Sequence, residues 1–194
     1  MARHKGLSFY QKKRGINISV FKEIISWIFA GLVMVLIAFM FVYLFGIRTS
    51  VIGYSMEPTL YNGQEVLIDR FAYNISQPKQ GDVVIFRPNG NENVHYYVKR
   101  IVGCPGDTVL IRDGLIFVNG DIYDDQGIFD KIEDGGIAEA GVSLEEDEYF
   151  VLGDNRNNSE DSRSSNVGVV RKEYISGKAW FHMGNKDMRP GFIK

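Results

Sequence analysis

The stretch Thr108-Val109-Leu110-Ile111-Arg112-Asp113-Gly114-Leu115-Ile116-Phe117-Val118-Asn119-Gly120 decides how this chain folds. Two short runs of β-branched, aliphatic and aromatic residues flank Asp113-Gly114. That dipeptide suits a two-residue hairpin, whose central positions both need φ > 0. The spacing predicts strands over 108–111 and 115–118 joined by a tight turn. Outward from this hairpin the same pattern repeats. Val66-Leu67-Ile68, Asp82-Val83-Val84-Ile85-Phe86 and the run from Tyr96 to Val102 read as strands. Asn62-Gly63, Gln80-Gly81-Asp82, Pro105-Gly106-Asp107 and Asn119-Gly120 punctuate them as turns. Gly177 to Asn185 reads as a closing strand. Beyond Arg48 no helix of ten or more residues is indicated. The expected fold is mainly β, with small coiled antiparallel sheets or a partly closed barrel, preceded by one N-terminal transmembrane helix.

That helix is read from Ile24 to Ile47, an uncharged run of 24 residues. As a helix it would reach about 36 Å, more than the ~30 Å hydrocarbon core of a bilayer. Trp27 and Tyr43 stand near its two ends, where amphipathic rings favour the interface. A cleaved leader has an apolar region of only ~7–15 residues, and an interfacial helix needs a polar face. Neither fits. Residues 1–23 carry six Lys/Arg against Glu23, a net of +5, which leaves −7 for residues 24–194 within a whole-chain net of −2. The basic head predicts a cytoplasmic N-terminus, a single pass through a cell membrane, and an extracytoplasmic domain over 48–194.

The remaining composition excludes several classes. The chain is 45% hydrophobic and 13% aromatic, so it folds rather than staying disordered. No basic stripe marks the large domain, so no nucleic-acid partner is expected. Cys104 is the one cysteine, read as a small buried residue. His4, His95 and His182 show no ligand spacing, so neither a metal nor another cofactor is expected. Residues 121–148 are rich in acids and glycine (Asp124-Asp125, Glu133-Asp134-Gly135-Gly136, Glu145-Glu146-Asp147-Glu148) and read as a solvated surface excursion.

Three segments carry candidate chemistry. They are Gly53-Tyr54-Ser55-Met56-Glu57-Pro58-Thr59-Leu60, then Tyr97-Val98-Lys99-Arg100-Ile101-Val102-Gly103-Cys104-Pro105-Gly106-Asp107, then Gly153-Asp154-Asn155-Arg156-Asn157-Asn158-Ser159-Glu160-Asp161-Ser162-Arg163. Serine is a poor nucleophile without a base in hydrogen-bond reach. Histidine is a weak candidate here, and a lysine serves only when neutral. An exposed lysine is neutral in roughly 0.04% of molecules at pH 7, so burial must lower its pKa. Lowering it by ~3 units costs about 4 kcal/mol of ammonium stability. Lys99 suits this: Tyr97 and Ile101 share its face of a strand, and Val98 and Val102 line the other. Taken singly, Ser55 remains equally readable as a turn serine and Lys99 as a solvated strand lysine.

The four boxes in order, Gly-x-Ser-Met-x-Pro-Thr-Leu, Gly81-Asp82-Val83-Val84, Tyr-x-Lys-Arg-x-x-Gly-x-Pro-Gly-Asp and Gly-Asp-Asn-Arg-x-x-Ser-x-Asp-Ser-Arg, resemble the bacterial type I signal peptidases. The likeness runs from about Ser50 to Gly168. It implies a serine endopeptidase that removes signal peptides from exported preproteins after an A-x-A-like site. Ser55 would be the nucleophile and Lys99 the general base. Ser159 would position the amine, and Asp161 and Arg163 would form a supporting ion pair, with Arg100 in the same charged support. The oxyanion hole would use the Ser55 amide. In one branch of the family a hydroxyl two residues earlier is the second donor; here Gly53 stands there, so a backbone group or water must substitute. Met56, Tyr97, Val98 and Leu152 match or adjoin substrate-pocket positions, with core packing an open alternative for Leu152. The implied partners are preprotein signal peptides and the lipid bilayer.

Two other readings compete. A self-cleaving repressor with a related Ser-Lys fold needs a DNA-binding N-terminus, where this chain has its apolar span. A catalytically inactive, membrane-tethered assembly or chaperone module should have lost Ser55 or Lys99, and both are present.

Overall fold

The computed structural model describes residues 18–45, 47–123, 127–185 and 188–193. Residues 1–17 of the basic head and Asp124-Asp125 of the acidic stretch therefore lie outside it. The apolar run forms one helix, α1 (Ile18–Phe45). It starts before the uncharged run because Lys22 and Glu23 are themselves good helix formers. It stops short of Ile47 because that residue pairs with Ile68 in a sheet. Every side chain from Ile18 to Tyr43 is exposed. A helix apolar all round and uncovered by protein needs an apolar solvent. Its mean hydropathy of 2.7 over the most apolar window and its length fit a membrane-anchored protein.

The β-structure belongs to a second unit, which begins at Phe41. Its strands are β1 (Ile47–Ser50), β2 (Glu65–Asp69), β3 (Val83–Phe86), β4 (Tyr97–Gly103), β5 (Thr108–Arg112), β6 (Leu115–Val118), β7 (Asp121–Ile122), β8 (Val142–Ser143), β9 (Glu148–Leu152), β10 (Val170–Arg171), β11 (Ile175–His182) and β12 (Gly191–Phe192). A single short helix, α2 (Ala72–Ile75), follows β2. One sheet runs β1-β2-β11-β3-β4-β9-β10, with β12 beside β11; a smaller sheet runs β7-β6-β5-β8. Every pairing is antiparallel. The mainly β class with an apolar N-terminal helix stands as read from the sequence.

The hairpin at Asp113-Gly114 joins β5 to β6, closed by the pair Arg112 and Leu115. Asp113 has φ 53° and Gly114 φ 77°, the positive pair this turn demands. β3 is buried along its whole length. Its alternation sends Val83 and Ile85 into one apolar cluster, with Met56, Leu60 and Val98, and Val84 and Phe86 into another, with Ile101, Tyr149 and Val151. A further cluster, with Val109, Ile116, Phe150 and Leu152, lies between the two sheets.

Two expectations change. The acidic stretch 121–148 is not simply a solvated excursion: Ile132, Ala138 and Leu144 are buried in the cluster between the sheets, and β8 pairs with β5. Those anchors are single apolar residues six positions apart with acids and glycines among the residues between them, so no continuous strand or helix pattern marks them. Cys104 is half-buried rather than buried, because it sits where β4 gives way to the turn at Pro105-Gly106.

Replacing Gly114 with alanine is expected to destabilise the fold by about 1–2 kcal/mol, because a Cβ is strained at positive φ. The new Cβ would also crowd the Ile132 carbonyl oxygen at 3.2 Å. A urea titration of the two proteins measures the difference.

Candidate active site

The site is built on β4, which lies between β3 and β9 in the larger sheet. Every residue from Val98 to Gly103 is buried, so a lysine in this strand has little access to water. Lys99 is 4% exposed. Its amine donates to Ser55 Oγ at 2.6 Å and lies 5.5 Å from the centre of the Tyr97 ring. Burial pushes the amine down from its ordinary 10.5 to about 8, against the opposing charges of Asp161, Glu160 and Asp154 and with help from Arg163.

Ser55 sits in the turn between β1 and β2. Met56 and Leu60 are fully buried and anchor that turn, with the Leu60 amide donating to the Met56 carbonyl at 2.8 Å. Gly53 takes φ 89°, a conformation a side chain would strain. Its amide donates to Asn62 Oδ1 at 3.0 Å. The Ser55 amide makes no hydrogen bond among the described residues. The Ser55 carbonyl accepts from the Asn155 amide at 3.0 Å, and the Tyr54 carbonyl accepts from Asn155 Nδ2 at 3.1 Å. One asparagine thus fastens the serine turn to the loop after β9.

That loop is braced from within. Asp161, fully buried, accepts from the Gly153 amide at 3.0 Å and from Arg163 Nε and Nη2 at 2.8 and 2.9 Å. Arg163 also donates to the backbone carbonyls of Arg156 and Asp134 at 2.5 and 3.1 Å. Gly153 has no room for a Cβ, which would meet the Ser159 side chain and the Ser55 carbonyl. Ser159 Oγ is buried there and makes no hydrogen bond among the described residues, so the structure does not link it to the Lys99 amine in this way. Arg100 braces the start of the same loop through a second carboxylate. It grips Asp154 through Nε and Nη2 at 2.8 and 2.7 Å and the Gly81 carbonyl through Nη1 at 2.8 Å. Asp154 escaped the reading of the sequence as a site residue, although it stands beside Gly153 in the quoted box.

A cleft of about 430 Å³ opens beside Ser55 and Lys99, lined also by Val51, Gly53, Tyr54, Tyr97 and Val98. Met56 and Leu152 do not line it. Met56 packs in the cluster that includes Val98, and Leu152 packs between the sheets. β9 pairs with β4 only over Arg100 to Gly103, whereas β3 pairs with it from Tyr97 onward. Among the described residues, Tyr97, Val98 and Lys99 therefore have no strand partner on the β9 side. A larger polar groove of about 740 Å³, around Arg70, Tyr73, Glu148 and Lys172, contains neither Ser55 nor Lys99.

Residues 23–183 match the family described as signal peptidase, peptidase S26. The chain is 34% identical over 163 residues to signal peptidase I P of Bacillus subtilis subsp. natto, a match that covers 80% of this chain and 86% of that protein. It is 35% identical over 176 residues to signal peptidase I S of Bacillus subtilis (strain 168), covering 85% and 91%. A solved signal peptidase I from Enterococcus faecalis V583 shares 27% identity, covers 53% of this chain and 97% of its own, and has a TM-score of 0.39. By family match and relatives, the chain is a peptidase, and so a hydrolase. More narrowly, it belongs to the signal peptidase, peptidase S26 family.

Lys99 also affects stability, with a sign that pH reveals. Its folded pKa of about 8 lies below the ordinary 10.5, so the unfolded chain holds the extra proton between those values. The penalty, about 3 kcal/mol, is present in full below pH 8 and fades as the pH rises to 10.5. Lys99→Met is expected to be more stable than the parent at pH 7, by up to that amount, and to lose the advantage towards pH 10.5. Urea titrations at both pH values measure this.

Proposed function

We propose that this chain is a membrane-anchored Ser-Lys endopeptidase that cuts signal peptides from exported preproteins after an A-x-A-like site. The observation that carries the reading is the 2.6 Å contact between the buried Lys99 amine and Ser55 Oγ. With a pKa of about 8, the amine is neutral in about a tenth of molecules at pH 7, against roughly 0.04% for an exposed lysine.

In this mechanism Ser55 Oγ attacks the scissile carbonyl carbon while its proton passes to Lys99 Nζ. The carbonyl oxygen takes up negative charge and is held by the Ser55 amide, which has no acceptor among the described residues. The Gly53 amide is already committed to Asn62, so water or another backbone group serves as second donor. As the tetrahedral intermediate collapses, the C–N bond breaks and Lys99 returns the proton to the leaving amine. Water then attacks the Ser55 ester while Lys99 takes its proton; the acyl C–Oγ bond breaks, Lys99 returns the proton to Ser55 Oγ, and the carboxylic acid product leaves. Ser159 orients the Lys99 amine, for which its buried, unbonded hydroxyl is suited. The Asp161–Arg163 and Arg100–Asp154 pairs hold the loop and strand that carry these groups.

The substrate adds as an extended strand along Tyr97–Lys99, where β4 lacks a partner towards β9. Its small side chains fill shallow apolar pockets formed by residues such as Val51, Tyr97 and Val98. Residues 1–23 lie in the cytoplasm, α1 crosses the membrane, and the β-structure from residue 48 onward works outside, as the basic head directs.

The full chain in detergent is expected to cleave a synthetic peptide spanning an A-x-A site. Ser55→Ala and Lys99→Ala should each lower kcat/KM by about 10⁴-fold or more. In the parent, kcat/KM should rise about tenfold per pH unit up to about pH 8 and then level off. Full activity in Lys99→Ala would overturn the mechanism, and binding without cutting by the parent would favour the inactive assembly module. Orientation is tested separately: a protease added outside sealed cells should digest the β-structure, and its protection would overturn the topology.

A further inference from the structure

We infer that Glu160 is a specificity-determining residue, which favours substrates with a basic side chain, and disfavours those with an acidic one, within about three residues of the scissile bond. The inference rests on the peptidase reading above. Glu160 lines the cleft beside Ser55 and Lys99. Among the described residues lining that cleft, it carries the only carboxylate.

Its position is fixed rather than free. Tyr97 Oη donates to Glu160 Oε2 at 3.2 Å, and Asn166 Nδ2 donates to Oε1 at 3.1 Å. The first bond ties the carboxylate to β4 at the start of the edge that lacks a partner. Tyr97 precedes Lys99 by two residues, about 7 Å along a strand. A substrate strand laid on that edge, with its reacting carbonyl at Ser55, brings side chains at this distance from the cut past Glu160.

The charge then acts on the substrate with little internal compensation. Lys99 and His95 are the cleft-lining groups able to carry positive charge. Lys99 must be neutral when Ser55 attacks, so in the working form it leaves the carboxylate uncancelled. Glu160 is exposed, so the interaction is screened and modest, a few-fold in kcat/KM at low ionic strength.

The test is a set of otherwise identical A-x-A peptides with Lys, Gln or Glu placed in turn at each of the three positions on either side of the cut. They are assayed with the full chain in neutral detergent. At one or two adjacent positions, Lys over Glu should raise kcat/KM by about fivefold or more at low salt, and the ratio should shrink in high salt. Glu160→Gln keeps acceptor geometry and should bring that ratio near one, while Glu160→Lys should invert it. Cleavage with no charge preference, or a preference that survives in both variants, overturns the inference and leaves the peptidase reading intact. Failure to cleave any peptide in the set overturns both.

Discussion

Burial of one lysine on the central strand β4 is the constraint from which the site follows. An amine in that position cannot keep its ordinary affinity for a proton, because the ammonium loses its hydration and finds no carboxylate in direct contact. Two of the three acids whose charge reaches it are already engaged with arginines. Asp161 is taken up by Arg163 and the Gly153 amide, and Asp154 by Arg100. These ion pairs therefore have two effects. They hold the loop after β9 in place, and they keep negative charge from settling on Lys99, which would restore its proton. Replacing either arginine would release a buried carboxylate close to the amine, with electrostatic consequences beyond the lost brace.

The turn that carries the serine is held opposite this lysine by its neighbours and its backbone, leaving the Ser55 hydroxyl to meet the amine. Met56 and Leu60 sink the turn into the core, and Asn155 holds its outer carbonyls. Gly153 permits the approach by having no side chain. The geometry at Ser55 thus depends on three segments far apart in the chain, which meet because β4 and β9 are neighbours.

Much of this was legible in the sequence, for local reasons. Asp113-Gly114 announced its hairpin because the turn's backbone excludes most other residues, and β4 was readable as a run of β-formers closed by Pro105-Gly106. What could not be read depended on distant partners. The start of β1 at Ile47 is decided by pairing with Ile68, so an uncharged run alone overextended the helix. The burial of Ile132, Ala138 and Leu144 is decided by the second sheet, and no continuous strand or helix pattern in the acidic stretch betrays it. The partner of Arg100 lies at Asp154, a separation that sequence spacing does not predict. The nearness of Ser55 and Lys99 was likewise invisible to spacing, and only the order of the four boxes suggested it.

β11 draws out a last consequence. This strand, made from residues 175–182, lies between β2 and β3, whose residues come more than a hundred positions earlier at the start of β2. The larger sheet has no continuous path from β1 to β4 without it. Synthesis proceeds from the N-terminus, so the serine turn and the lysine strand emerge long before the strand that joins their halves of the sheet. Completion of the larger sheet is thereby deferred until almost the whole polypeptide has been made, and the sheet is rich in contacts between residues distant in sequence.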